Sequence, residues 1–136
     1  MINGINSREM ILEILLEIEE GEHSHVAIRN ALSKYQFLPK QDRAFITRVC
    51  EGTLEYRIQI DYIINSFSKV TVDKMKPAIR EILRSAVYQL KYMDSVPDSA
   101  VCNEAVKLAQ RKGFYNLKPL QGKWTRSASR RRKKIF

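Results

Sequence analysis

The chain has 136 residues, of which 44% are hydrophobic and 29% are charged, and its formal net charge is +9. This length and composition predict one globular domain with a substantial hydrophobic core. No apolar run reaches the ~20 residues that span a bilayer and the N-terminus lacks an apolar signal region, so we expect a cytoplasmic protein without membrane contacts.

The excess positive charge is confined to the last quarter of the chain. Residues 1–104 carry 13 Lys and Arg against 15 Asp and Glu, whereas residues 105–136 carry 11 Lys and Arg and no acidic residue. Such an asymmetry indicates a polyanionic partner, most often a nucleic acid, although a basic tail can also be merely solvated.

The spacing of apolar residues predicts six helices before residue 113. They cover approximately residues 7–20, 24–35, 39–56, 58–67, 76–92 and 98–112. Ser7, Ser24 and either Asp98 or Ser99 are the expected N-caps of three of these helices. No segment shows the alternation of a β-strand, so the sequence predicts an all-α fold.

The helix over residues 76–92 is expected to lie at the centre of the fold. Six apolar residues share one face of it: Ile79, Ile82, Leu83, Ala86, Val87 and Leu90. Gly52 lies in the interior of an earlier helix, where glycine is unfavourable, and it predicts a close crossing with a neighbouring helix. The turn Phe37-Leu38-Pro39 is expected to pack back on the core.

Two stretches resemble the NusB-like family, namely QDRAFITRVCEGTLEYRIQIDYII (residues 41–64) and ILRSAVYQLKYMDSVPDSAVCNEAVKLAQRKG (residues 82–113). The second is most similar to the domain that begins the ribosomal RNA small-subunit methyltransferases of type B, enzymes that methylate C5 of a cytosine. The resemblance covers roughly residues 5–118. It implies a NusB-like domain over residues 1–118. In this fold about six to seven helices form two packed bundles, here at about residues 5–57 and 58–126.

Residues 119–136 form a basic C-terminal segment that departs from the family. Where members have a final helix, this chain reads PLQGKWTR, and its Pro119 and Gly122 are unfavourable in a helix. A shifted reading frame is one hypothesis for the departure. The run RRRKK at residues 130–134 has two open interpretations, an RNA-binding arm or a disordered by-product.

No catalytic or metal-binding constellation is present in the sequence. Cys50 and Cys102 are isolated and are expected to be reduced thiols, and His23 and His25 have no convincing third ligand. The family's methyltransferases keep their nucleophilic cysteine and S-adenosylmethionine pocket in a separate α/β domain. We therefore expect this chain to need no cofactor and to have no enzymatic activity by itself.

The predicted RNA-binding residues are mostly cations near the C-terminus, where Lys and Arg side chains can pair with phosphates. They are Lys107, Arg111, Lys112, Phe114, Lys118, Lys123 and Arg126, together with Arg8, which matches the arginine at the start of the family's first helix. Phe114 and Tyr115 can stack on unpaired bases or, alternatively, cap the hydrophobic core.

Three functions follow from these observations. The first is an RNA-binding domain, the N-terminal part of a ribosomal RNA cytosine-C5 methyltransferase, with ribosomal RNA and a fused catalytic domain as its partners. The alternative is a transcription antitermination factor that binds leader RNA together with a small ribosomal protein. The third is a helical interaction module without any RNA role.

Overall fold

The computed structural model describes residues 6–114, and all regular structure in that range is helical, as the sequence predicted. The helices are α1 (Ser7–Glu19), α2 (Ser24–Lys34), α3 (Lys40–Glu55), α4 (Arg57–Phe67), α5 (Pro77–Tyr92) and α6 (Asp98–Arg111), with a 3-10 turn at Val72–Lys74 between α4 and α5. Each helix begins and ends within a few residues of its predicted bounds. No helix in the described range is long and apolar enough to cross a membrane.

The predicted N-caps are wrong at all three helices. Asn6 caps α1, because its side chain accepts a hydrogen bond from the backbone N–H of Glu9 at 2.8 Å. At α2 and α6 the cap positions are occupied by His23 and Pro97, and neither side chain accepts a cap hydrogen bond. The predicted Ser24 and Asp98 are instead the first residues inside their helices, and Ser99 follows Asp98.

Helices α1 and α6 are each followed closely by a glycine that ends the helix. Gly21 and Gly113 have φ values of 118° and 89°, in the left-handed region that favours glycine. The N–H of Gly113 donates to the carbonyl of Gln110 and the N–H of Phe114 donates to the carbonyl of Ala109. This pair of bonds is a Schellman motif, which satisfies the last carbonyls of α6.

Helix α5 lies at the centre of the fold and packs against α1, α3, α4 and α6, as predicted. Pro77 occupies its first turn, where the missing N–H breaks no helical hydrogen bond. The helix is buried on more than the predicted face, because Glu81, Gln89 and Lys91 are also buried.

The predicted close crossing at Gly52 is confirmed. A Cβ atom at this position would overlap the ring of Tyr88 on α5, so glycine lets α3 and α5 approach each other. The turn before α3 differs from the expectation, since Phe37 is 81% exposed and only Leu38 packs against the core. A side chain at the tip of a short turn has few neighbours to pack against.

Five charged side chains from three helices form a cluster, here called the α5 charge cluster: Glu19, Asp61, Arg80, Glu81 and Arg84. Both Nε and Nη2 of Arg84 donate to the carboxylate of Asp61, at 2.8 and 2.9 Å, and its Nη1 donates to Glu81 at 2.7 Å. Arg80 pairs with Glu19 and also donates to the carbonyls of Val72 and Met75. Both arginines are therefore paired within the fold, and they do not form a separate basic patch.

The largest hydrophobic cluster contains residues from both sides of the predicted bundle boundary at residues 57 and 58. Ile14 and Val49 precede the boundary, and Ile60 and Val87 follow it. The division into two bundles and the segment 119–136 stay predictions, since residues 115–136 lie outside the described range. Cys50 and Cys102 are both buried, and burial raises the pKa of the Cys50 thiol.

Candidate nucleic-acid interface

Three of the predicted cations lie together on the second half of α6. Lys107 and Arg111 are one helical turn apart and both are exposed, and Lys112 is exposed at the C-cap. The opposite side of the same helix buries Leu108 and Ala109 against α1 and α5. The helix thus holds the cations toward solvent while its apolar side fixes their position.

Two of these cations are partly neutralised by nearby carboxylates. Lys107 Nζ lies 3.4 Å from Glu104 Oε2, one turn earlier on α6, and Lys112 Nζ lies 3.8 Å from Glu9 Oε2 on α1. Arg111 forms no ion pair with any carboxylate in residues 6–114. The guanidinium of Arg111 therefore keeps its full charge and its donors for an external anion.

Phe114 packs on the core at the end of α6. The Schellman motif brings it next to Leu108 and Ala109, which is the hydrophobic contact that usually accompanies this motif. The ring is partly buried, and the ammonium of Lys76 lies 5.8 Å from its centroid. Of the two interpretations of Phe114, this contact matches core capping, and base stacking stays a prediction for the exposed part of the ring.

Arg8 lies in the first turn of α1 and is half-buried between α1 and α5. Its Nε donates to Oε1 of Gln89 at 3.2 Å, and its guanidinium carbon lies 5.2 Å from the centroid of the Phe45 ring. Burial lowers the pKa of Arg8, and the negative charge of Glu104 opposes that shift. Arg8 also lines a small cavity together with Leu108, so it adjoins the inner side of α6.

The described structure thus brings together Lys107, Arg111, Lys112 and Phe114 near the end of α6, whereas Arg8 lies on the inner side of that helix. The predicted residues Lys118, Lys123 and Arg126, like Tyr115, lie outside the described residues. Lys76 was missed, although its side chain reaches Phe114. No local pattern identifies it, because it precedes α5 and joins the group only through a tertiary contact.

A second surface is an open groove on α3 with a volume of about 850 Å³. Its lining includes Lys40, Arg43, Arg48, Tyr56 and Tyr88. Arg43 donates to the carbonyls of Leu32 and Tyr35, and Arg48 donates to the carbonyl of Tyr92. Two of its three cations are thus engaged with backbone, so the face of α6 is the stronger candidate for binding phosphates.

Comparisons with known proteins agree with this architecture. The model of the NusB family matches residues 5–119. The probable ribosomal RNA small subunit methyltransferase B of Bacillus subtilis is 31% identical over 106 residues, which cover 78% of this chain and 24% of that protein. The protein of the same name from Synechocystis sp. is 33% identical over 114 residues, which cover 83% of this chain and 25% of that protein.

Another relative differs in length and name. The transcription antitermination protein NusB of Bacillus velezensis is 32% identical over 108 residues, which cover 79% of this chain and 80% of that protein. Among solved structures, NusB of T. maritima has a TM-score of 0.78 at 20% identity, covering 91% of this chain and 88% of that chain. At that identity the likeness concerns the fold. The chain spans about a quarter of the length of the methyltransferases and most of the length of the antitermination protein.

Proposed function

The chain belongs to the NusB family, and from this membership and the cations of α6 we propose that it is an RNA-binding domain of the cytoplasm. The observation that carries the proposal is the exposed group of Lys107, Arg111 and Lys112 on a rigidly packed helix. Cations held in this way displace counterions from the RNA when they pair with its phosphates, and that release favours association at low salt. The three cations bind the phosphate backbone of the RNA and so position it, but they distinguish little between bases.

We further propose that the chain is the N-terminal domain of a ribosomal RNA cytosine-C5 methyltransferase and binds ribosomal RNA. Two relatives that bear the name ribosomal RNA small subunit methyltransferase B match 78% and 83% of this chain. In this proposal the chain grips the RNA while the methyl transfer takes place in a separate catalytic domain. The residues described here then have no catalytic role, and the chain alone has no site for S-adenosylmethionine.

A second candidate is a free-standing antitermination factor that binds leader RNA together with a small ribosomal protein. The coverage of 80% of the NusB protein of B. velezensis supports it. The first turn of α1 argues against it, because in residues 6–10 only Arg8 is a cation and its side chain is half-buried. A stable complex with that ribosomal protein in a pull-down favours this candidate over the first.

The test of RNA binding is a titration of the full chain with a small-subunit ribosomal RNA fragment at several salt concentrations. The logarithm of the binding constant falls linearly with the logarithm of the salt concentration, and each lost phosphate contact reduces the steepness of this salt slope by about 0.7 to 0.9. The double variant K107Q/R111Q is expected to lose close to twice that amount. The matched control R29Q/R57Q removes two exposed arginines on α2 and α4 and should retain the wild-type slope.

Two results contradict the proposal. Equal slopes for K107Q/R111Q and the wild-type chain show that the face of α6 does not hold the RNA. Saturable binding of S-adenosylmethionine by the isolated chain, measured by equilibrium dialysis, shows that the methyl donor site is not confined to another domain.

A further inference from the structure

Lys76 connects the beginning of α5 with the end of α6. It is exposed at the N-cap of α5, and its ammonium lies 5.8 Å from the centroid of the Phe114 ring. A cation over an aromatic face at an exposed site contributes only about 0.5–1 kcal/mol. The contact therefore orients the Lys76 side chain but leaves its charge and its three hydrogen-bond donors available to a ligand.

The position of Lys76 is set by well-packed structure. Phe114 is held by its hydrogen bond to the carbonyl of Ala109 at 2.9 Å and by packing against Leu108. On the other side, the residue after Lys76 is Pro77, whose fixed φ begins α5. The two residues of the contact thus directly flank helices of the core, Lys76 before α5 and Phe114 after α6.

The charge of Lys76 is not compensated by any carboxylate among residues 6–114. Within the part of the chain described by the structure, Lys107 and Lys112 each lie within 4 Å of a carboxylate oxygen, whereas Lys76 and Arg111 do not. Arg111 is the last residue of α6 and precedes Phe114 by three residues. Two cations without a carboxylate partner among the described residues are therefore associated with Phe114, since Lys76 lies over its ring and Arg111 precedes it in the chain.

Building on the proposed RNA-binding function, we propose that Lys76 is a further phosphate-binding residue of the RNA site. Lys76 and Arg111 then contact phosphates on the two sides of Phe114. The bound strand runs from the outer face of α6 to the start of α5. The site is consequently wider than the basic C-terminal quarter, and part of it lies in residues 1–104, which are acidic overall.

The experiment compares the full-length variants K76Q, K76R and K34Q with the wild-type chain in the RNA titration at several salt concentrations. Lys34 is a matched control, because its ammonium lies 5.6 Å from the centroid of the Tyr35 ring at the end of α2. K34Q thus loses the same charge and the same type of ring contact at a different place. Circular dichroism and thermal unfolding establish that each variant is folded.

We expect K76Q to lower the salt slope by about 0.7 to 0.9 and the affinity about fivefold at 0.1 M salt, as the loss of one phosphate contact requires. K76R should retain the slope, and K34Q should match the wild-type chain. An unchanged slope in K76Q, or equal losses in K76Q and K34Q, overturns the role of Lys76 while RNA binding by the chain stands. A wild-type chain that binds no RNA overturns the proposed function and this inference together.

Discussion

The ring of Tyr88 on α5 lies against the backbone of Gly52 on α3, in the space that a Cβ atom would occupy. Tyr88 is buried, and its ring also lies 5.3 Å from the ring of Tyr92, measured between centroids. The stacked neighbour restricts any movement of the Tyr88 ring away from α3. The closest approach of α3 and α5 therefore depends on a residue without a side chain.

Gly52→Ala should destabilise the protein by roughly 1–2 kcal/mol. Overpacking at a crossing costs about 1–3 kcal/mol, and alanine recovers at most about 1 kcal/mol of helix propensity. Urea unfolding of the wild-type chain and the variant measures the difference. In a Tyr88→Ala background the same substitution should become neutral or stabilising, and a loss of equal size there would contradict the proposed overlap.

Glu81→Gln should remove a pH dependence of stability. Burial, together with the hydrogen bond to Glu19, raises the pKa of Glu81 to about 8 from an ordinary value of 4.5. A protonated Glu81 leaves two carboxylates, Glu19 and Asp61, to balance the two arginines of the α5 charge cluster. Above pH 4.5 the unfolded chain releases the proton and the folded chain keeps it to about pH 8, so the free energy of unfolding falls as pH rises across this window.

The slope from this single proton is at most about 1.4 kcal/mol per pH unit. Glutamine can donate to Glu19 and accept from Arg84, as the protonated acid does. Glu81→Gln should therefore flatten the curve of unfolding free energy against pH between pH 5 and 8 without unfolding the protein. Glu13→Gln, at an exposed position of α1, should leave the curve unchanged. Chemical denaturation at each pH gives the comparison, and a variant that keeps the wild-type slope would assign the dependence to another group.

Glu104→Gln should tighten RNA binding. Glu104 lies 3.4 Å from Lys107 and competes with phosphate for that ammonium, although both side chains are partly exposed and the pair is weak. Its removal is expected to increase the affinity about twofold to fivefold, which corresponds to about 0.4–1 kcal/mol. Glu51→Gln removes a carboxylate from α3 and serves as the charge control. Weaker binding by Glu104→Gln would show that the carboxylate helps to orient the site.

Arg8→Ala should lower stability by about 1–3 kcal/mol, because it leaves the buried Oε1 of Gln89 without its donor. Thermal or urea unfolding detects the loss. Arg29→Ala, at an exposed position of α2, should have little effect. Replacing Gln89 by leucine in the Arg8→Ala chain should restore part of the stability; a loss that persists in full would instead implicate the contact between Arg8 and Phe45.

Helix positions were predictable from the sequence because they depend on local apolar periodicity. Pro77 and the two glycines Gly21 and Gly113 act through their own backbone preferences, so their effects also appear in the sequence. N-caps were less predictable, since Asn6 and Ser7 are both good capping residues and are adjacent. The geometry of the chain entering α1 decides between them.

The candidate site was only partly predictable for a related reason. Charge counting identified Lys107, Arg111 and Lys112, because they are close together in the sequence. The same count could not include Lys76, which reaches Phe114 only when α5 and α6 pack together. It also could not show that Arg8 is half-buried against Gln89.

The central position of α5 has a consequence for synthesis on the ribosome. Helices α1 to α4 emerge first, but the apolar sides of α1, α3 and α4 are completed by α5, which ends at residue 92. Until that residue has left the exit tunnel, the nascent chain exposes hydrophobic surface that the finished domain buries. Substitutions that slow the docking of α5 should therefore reduce the yield of newly made protein more than they weaken the folded domain.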